Sequence, residues 1–397
     1  MLTRVNLIPS IFMNKKILFL EPFTGTCAGA QKVSLNVIKC LSTYFDISLI
    51  KRDANSSYDE QLTDYKVDGF LPNEKQLKRI YGTGDFFKHL TLMKFITVLL
   101  TFITCNVYVF FKVLKVKPLY IYTYDPRGLF LGSIFLRLFG YKVIWHLHSE
   151  LPKNKIIKWL MIVLCSEIIV PSKAIADSLG EVSKVKVIYN GFDLPKPLHD
   201  KPKSIQKRLL FLGTPHPHKG VHNLLEAIAI LQNKLKGEDI ILNVFGQFQK
   251  ATADYKNVID MRLQNIKSIK VEFRGWTTNA EQEIFSSDLL IFPSVIEQKL
   301  ELGGEIKTIK SSEALPTVLI ESLAMGVPVV ATNTPGVSEI ISNSNDGIII
   351  KESEPEEIAK AIKLILSKIN EFQPDRNYVI SKFSLEAMNK ELAKVFK

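Results

Sequence analysis

Short runs rich in Ile, Val, Leu and aromatic residues alternate along the chain with longer stretches of helical periodicity. In the first half, strands are predicted at 17–23, 47–52, 119–124, 142–148, 167–172 and 186–191, with helical patterns such as 31–44 and 129–140 between them. The pattern restarts at 208–213. Further strands are predicted at 240–246, 270–275, 288–294 and 327–332, and helices at 221–235 and 318–326. Continuously apolar strands separated by helices imply parallel sheets covered on both faces. The expected fold class is α/β, with two doubly wound Rossmann-like domains joined near three prolines within 192–206. The expected organisation is an extension over 1–12, a first domain over 13–193, a linker over 194–206 and a second domain over 207–375. A helical segment over 376–397 is expected to pack back on the first domain. Such sheets bind ligands beyond the carboxyl ends of their strands.

Two segments raise the question of a membrane. Residues 95–111 hold no charge and are bounded by Lys94 and Lys112. Seventeen helical residues reach about 26 Å, short of the ~30 Å of a hydrocarbon core. A strand follows at once, and a true span would separate it from the strand at 17–23. A buried helix is the first expectation, a helix dipping into one leaflet the second and a span the third. Residues 153–164 combine Lys153, Lys155 and Lys158 with Trp159, the composition of a membrane-surface helix, or of a core helix with solvated lysines.

Composition sharpens this. The chain has 397 residues, 46% hydrophobic and 23% charged, which excludes disorder, collagen and coiled coil. The net charge of +11 is uneven: residues 1–200 carry 26 Lys and Arg against 16 Asp and Glu, the remainder 25 against 24. The basic half is expected to meet an anionic partner. Cys27, Cys40, Cys105 and Cys165 form no C-x-x-C pair, and a reducing cytoplasm is expected. No apolar region with a small-residue cleavage site follows the first basic residues, so no signal peptide is read.

The candidate chemistry is concentrated in the second half. In 313–326, Glu313 and Glu321 are separated by seven residues. Pro316 suits a first helical turn and Gly326 a C-terminal cap. The N–H groups of Thr317, Val318 and Leu319 would then form a diphosphate site flanked by two carboxylates able to accept from sugar hydroxyls. Upstream, Lys219-Gly220 opens a helix, where a lysine can hold charge on a leaving diphosphate. Near the start, Gly25 and Gly29 lie in a strand–loop–helix turn that is neither a dinucleotide fingerprint nor a Walker loop.

In order, AGAQKVSLNVIK, HLHSE, IIVPSKAIADSL, VIYNGFD, FLGTPHPHKGVHNLLEAI, VEFRGW, LLIFPS and the glutamate pair resemble glycosyltransferase family 4, the retaining sugar-nucleotide transferases of GT-B fold. The resemblance covers nearly the whole chain. It implies a catalytic set of His148, Lys219 and Glu313. The donor-binding set it implies is Gly29, Gly213, Lys219, Leu315, Thr317, Val318, Leu319 and Glu321. His148 would lie beside the reacting sugar, Glu313 near the donor sugar and Glu321 on the ribose. It further implies acceptor binding by the first domain and nucleotide-sugar binding by the second.

Two departures stand out. The family's arginine after the strand glycine is replaced: Thr214, Pro215 and His216 follow Gly213, and His216 or His218 could compensate only when protonated. Residues 295–312 also separate Pro293-Ser294 from Glu313 and read as an inserted loop, with Glu297 the rival for the first glutamate. His216, His218 and His222 suggest a metal, but no cysteine or carboxylate completes the set and D-x-D is absent. No metal or other cofactor is expected, and no nucleic acid. The expected function is transfer of a sugar from a nucleotide-sugar donor to a glycan or lipid-linked acceptor in cell-surface polysaccharide synthesis. The expected location is cytoplasmic, on the inner face of an anionic membrane. The alternatives are a sugar-nucleotide epimerase or hydrolase, or an inactive partner of another transferase.

Overall fold

The structure is a computed structural model that describes residues 15–22, 29–52, 57–81, 91–149, 151–152, 154–194, 205–235, 237–248, 252–311 and 313–397. The extension over 1–12, Gly25, Lys153 and most of the linker lie outside them. The chain forms two compact units. Unit 1 comprises residues up to Pro171, Ala176–Gly191 and Met388–Lys397; unit 2 comprises Ser172–Ile175 and Phe192–Ala387.

Unit 1 is built on seven strands: β1 (Lys16–Glu21), β2 (Asp46–Lys51), β3 (Lys66–Phe70), β4 (Tyr120–Thr123), β5 (Val143–His146), β6 (Glu167–Val170) and β7 (Val185–Val187). They run parallel in the order β3-β2-β1-β4-β5-β6-β7. The order reverses between β1 and β4, which is where this architecture opens a crevice. Helices α1 (Gly29–Leu41), α2 (Glu74–Tyr81), α3 (Leu92–Val116), α4 (Pro126–Leu138), α5 (Lys155–Val163) and α6 (Lys173–Leu179) connect them. Strand β3 was not expected from the pattern: KVDGF is a polar edge strand with little apolar signal.

Expected to be buried, the 95–111 segment is buried on one face only. Cys105, Val109, Val113 and Val116 of α3 pack inward, while Leu92, Phe95, Leu99, Leu100, Ile103 and Phe111 are exposed.

Unit 2 repeats the plan with β8 (Lys207–Leu212), β9 (Ile240–Phe245), β10 (Lys270–Gly275), β11 (Leu289–Phe292), β12 (Glu297–Leu302), β13 (Glu305–Lys310), β14 (Val329–Thr332) and β15 (Gly347–Ile350). Six of these form a parallel sheet in the order β10-β9-β8-β11-β14-β15, with its reversal between β8 and β11. Its helices are α7 (Val221–Lys234), α8 (Ala253–Leu263), α9 (Ala280–Phe285), α10 (Thr317–Ala324), α11 (Val337–Ile340), α12 (Pro355–Ser367), α13 (Arg376–Phe383) and the start of α14 (Leu385–Val395). Leu225, Ile228, Val244, Leu289, Ile358 and Ile362 belong to its core.

The expected inserted loop is instead an ordered antiparallel hairpin, β12–β13. Gly303 and Gly304 turn it with φ of 63° and 81°, the paired positive values that a two-residue hairpin turn needs. Leu300, Leu302 and Ile309 pin one face of the hairpin to the unit 2 core. Glu297 is its first, exposed residue.

Candidate functional site

The loop following β8 and the segment following β11 flank the reversal point of the unit 2 sheet. The first is folded tightly. Pro217–Lys219 form a single 3-10 turn, and Gly220 follows with φ of 70°. A side chain at Gly220 would collide with the Pro293 carbonyl oxygen, so only glycine lets this loop press against the end of β11. Val295 N–H donates to the His218 carbonyl at 2.9 Å, fastening the two segments together.

Lys219 and Glu313 meet here. The ammonium is ion-paired with Glu313 Oε1, and both side chains remain partly open to solvent. The Phe292 ring lies 5.8 Å from the ammonium. Glu313 is held by its own backbone: Gly336, with φ of 82°, packs so closely on the Ala314 carbonyl and Leu315 Cα that no side chain fits between them. Glu297, the rival, is not part of this pair.

Helix α10 begins at Thr317, with Pro316 one residue earlier than expected, at the N-cap. Thr317 and Val318 N–H groups have no acceptor within the helix. Leu319 N–H, expected to be a third donor, already donates to the Pro316 carbonyl at 3.2 Å. The Leu315 and Leu319 side chains are buried, so what either offers a ligand is backbone. Gly326 follows the Met325 C-cap with φ of 74°. Glu321 sits half-buried in the second turn. Gly213 N–H donates to the Phe245 carbonyl at 2.9 Å, which shapes the start of the lysine loop.

The histidines of this loop do not act together. The His216 and His218 rings stack at 5.4 Å. Burial first and the Lys219 charge second hold both below the ordinary imidazole value. At neutral pH they do not replace the missing guanidinium. His222 is buried elsewhere, within hydrogen-bond distance of the Tyr255 hydroxyl at 2.9 Å and Gln298 Oε1 at 3.0 Å. Among the described residues, no group of three His, Cys, Asp or Glu side chains is arranged to hold a metal ion.

In unit 1, His148 lies two residues beyond β5, at the same edge of the sheet as its reversal point. Burial lowers its imidazole to about 4. Gly29, the first residue of α1, is exposed with open space where a side chain would go.

Beneath His148 lies a polar cluster that the sequence reading missed. The His146 ring is 4.2 Å from that of His148, and its Nδ1 shares a 2.8 Å hydrogen bond with the Tyr122 hydroxyl. Glu21, the last residue of β1, is fully buried and accepts from Ser34 Oγ at 2.9 Å. Burial raises its carboxyl to about 8, opposed by the Ser34 hydrogen bond and aided by the Asp125 and Asp59 charges. His146 is likewise held neutral by burial. The signal was present as polar residues closing apolar strands, in ILFLE and VIWHLH.

A family model described as glycosyl transferases group 1 matches residues 198–380. An uncharacterized glycosyltransferase of Haemophilus influenzae is 23% identical over 367 residues, 89% of this chain and 91% of that protein. The lipopolysaccharide core biosynthesis glycosyltransferase LpsE of Rhizobium meliloti is 26% identical over 149 residues, 38% of this chain and 36% of its own length. Anabaena Alr3699/HepE, solved in complex with UDP, matches with a TM-score of 0.72 at 19% identity, covering 96% of this chain and 99% of that one. The chain is a glycosyltransferase. Its two parallel sheets are the Rossmann-like units of the GT-B architecture.

The glycosyltransferase thus carries two chemically distinct clusters, each at its own sheet's reversal point. In unit 2 a cation and helix N–H groups suit an anion. In unit 1 every titratable group of the His146, His148 and Glu21 cluster is neutral at pH 7. Such groups orient by hydrogen bonds and contribute no net charge.

Proposed function

We propose that this glycosyltransferase moves a sugar, with retention of anomeric configuration, from a nucleotide-sugar to a glycan acceptor in cell-surface polysaccharide synthesis, the acceptor being carried on a lipid. The observation that carries this reading is the Lys219–Glu313 pair beside the free N–H groups of Thr317 and Val318. Lys219 and the helix N-terminus would neutralise the leaving diphosphate, the role a metal ion plays elsewhere, so transfer proceeds without one. Glu321 would accept from the ribose hydroxyls and Glu313 would face the donor sugar. His148, neutral down to about pH 4, would hydrogen-bond the reacting sugar without repelling positive charge that develops there. LpsE acts in lipopolysaccharide core synthesis, which supports a polysaccharide product.

The pair also sets an order of events. Lys219 must leave Glu313 to meet a diphosphate, and the carboxylate is thereby released toward the sugar. A thermal-shift screen of nucleotide sugars identifies the donor, because a ligand bound only by the folded state raises the apparent melting point by mass action. Transfer from that donor in the presence of chelator, with the product's anomeric configuration read by NMR, tests the chemistry. An inverted product, acceptor-independent turnover or a strict metal requirement would overturn the reading.

A further inference from the structure

Helices α3 and α12 pack against sheets of the same construction, yet their outer faces differ. Helix α12 buries Ile358, Ala361, Ile362 and Ile365 and turns Glu356, Lys360 and Lys363 to solvent. Helix α3 buries an equivalent stripe and then presents a second. Ile96, Leu100, Ile103, Val107, Phe111 and Leu114 recur at intervals of three or four residues on the side opposite Cys105, Val109 and Val113. Leu100 is 57% exposed and Phe111 64%. A helix apolar all round belongs in a core or in lipid.

The stripe continues across neighbouring helices. β3→α3→β4, β4→α4→β5 and β5→α5→β6 all advance in one direction across the sheet, so right-handed crossovers put α3, α4 and α5 in one layer. Phe139, at the end of α4, stacks on Phe110 of α3 at 4.7 Å, and Leu138 beside it is 75% exposed. In α5, Ile156 and Trp159 are also exposed. These three helices contain seven Lys or Arg residues and no Asp or Glu. Arg127 is ion-paired with Asp125 at the α4 N-cap and Arg137 is bound to the Tyr141 carbonyl and Ser166, which leaves the five lysines of α3 and α5 beside the apolar surface. An extended apolar surface accompanied by lysines complements one phase above others, an anionic bilayer surface.

We propose that unit 1 docks on an anionic membrane through the outer face of α3, lying in the plane of one leaflet, with the end of α4 and α5 extending the contact. The helix does not cross the bilayer, because its other half is committed to the protein. Asn106 Nδ2 donates to the Phe102 and Phe130 carbonyls at 2.9 and 2.7 Å, and Asn106 Oδ1 accepts from Ile134 N–H at 3.0 Å. A spanning helix would keep the bond to Phe102, which lies within its own turn, but would lose both bonds to α4 in hydrocarbon. Docking itself is independent of the proposed chemistry; only the delivery of a lipid-carried acceptor to unit 1 rests on that reading.

The test is flotation of the full chain with phosphatidylglycerol–phosphatidylcholine vesicles and with phosphatidylcholine alone. The protein should float with the anionic vesicles, weaken in high salt, yet remain partly bound because the apolar contact is not screened. Leu100→Gln/Ile103→Gln/Phe111→Gln should reduce binding roughly tenfold or more, since each change removes an exposed apolar anchor. Its melting point should stay unchanged, because none of the three is a core residue. Lys155→Glu/Lys158→Glu should reduce binding less. Absence of flotation, equal flotation of the triple variant, or complete release by salt would overturn the proposal. So would resistance to alkaline carbonate extraction, which marks a span, or a dimer in lipid-free solution abolished by the triple variant. Transfer to a water-soluble acceptor analogue separates the two readings: its failure with flotation intact removes the proposed chemistry and leaves the docking.

Discussion

The two polar clusters occupy the same topological position in their sheets and have opposite electrostatics. In unit 2, Lys219 and Glu313 are charged, partly solvated and paired. In unit 1, Glu21 and His146 are fully buried and His148 is half-buried with its ring beside Tyr124, and burial holds each of the three neutral. Desolvation disfavours whichever form is charged, so it raises the carboxyl and lowers the imidazoles. Solvent access therefore decides which cluster can meet an anion. One Rossmann-like plan yields a charged site or a neutral one according to how deeply the residues closing its strands are buried.

The comparison breaks most severely if the cation of unit 2 is removed. Lys219→Ala should lower kcat/KM for the donor by ~10²–10³, the usual effect of deleting one preorganised electrostatic contact. The variant should fold, since Lys219 lies outside the core. Near-normal transfer would remove the diphosphate from this loop.

Glu313→Gln sharpens the contrast. It keeps the shape but dissolves the ion pair. We expect kcat to fall by roughly 10–100-fold, as for loss of a transition-state contact. Inhibition by the nucleoside diphosphate product should tighten at the same time, because Lys219 no longer has to leave a carboxylate. Weaker product inhibition would mean that the carboxylate does not compete for Lys219. Glu321→Gln should act differently, raising the donor KM by about tenfold with little change in kcat, as expected for uniform binding. A pure kcat effect would place Glu321 at the reacting centre instead.

The smallest effect probes unit 1. Folded Glu21 keeps its proton to about pH 8, whereas an unfolded glutamate releases it near 4.5. Between these values the native state binds the extra proton. Its contribution to stability is therefore intact below pH 4.5 and lost as pH rises toward 8, by up to a few kcal/mol. His148 acts in the opposite sense: with a folded value of about 4 against 6.5, it costs stability as pH falls through that window. Glu21→Gln should abolish the alkaline decline while leaving the acidic one, a difference of several degrees in melting point at pH 8. Parallel pH profiles for the two proteins would show that the native carboxyl is ionised.

Much of this architecture is legible in the sequence, and the exceptions share a cause. The predicted strands at 17–23 and 208–213 correspond to β1 and β8 because their apolar runs are continuous. Strand β3, KVDGF, lacks that run because an edge strand is not enclosed on both sides. The β12–β13 hairpin was masked by its charges, although Leu300 and Leu302 alternate with Lys299 and Glu301 ahead of Gly303-Gly304, a period of two followed by a turn. Glu313 and Lys219 are 94 residues apart, and tertiary contacts, the packing of Gly220 on Pro293 and the Val295–His218 hydrogen bond, bring their loops together. For α3, apolarity on every side carries no information about which side is covered. That depends on neighbours contributed by other parts of the chain.

The hairpin has a bearing on how the site tolerates inserted sequence. A floppy segment of its length would impose a closure penalty on the Lys219 and Glu313 loops, ~2 kcal/mol more than a two-residue connection, because each doubling of a loop costs about 0.6 kcal/mol. Here Ser311 N–H donates to the Val295 carbonyl at 2.9 Å, and the ladder above that bond zips the strands together to the glycine turn. The chain entropy is lost once, within the ribbon, and the ends beside the ion pair are left with no slack. Extra residues added at Gly303-Gly304 would lengthen the tip, which lies beside Asp254 of α8, away from the ion pair. The same residues added at Ser311 would loosen the backbone that aims Glu313. The hairpin is thus a spacer whose length can drift while the geometry at its base is preserved.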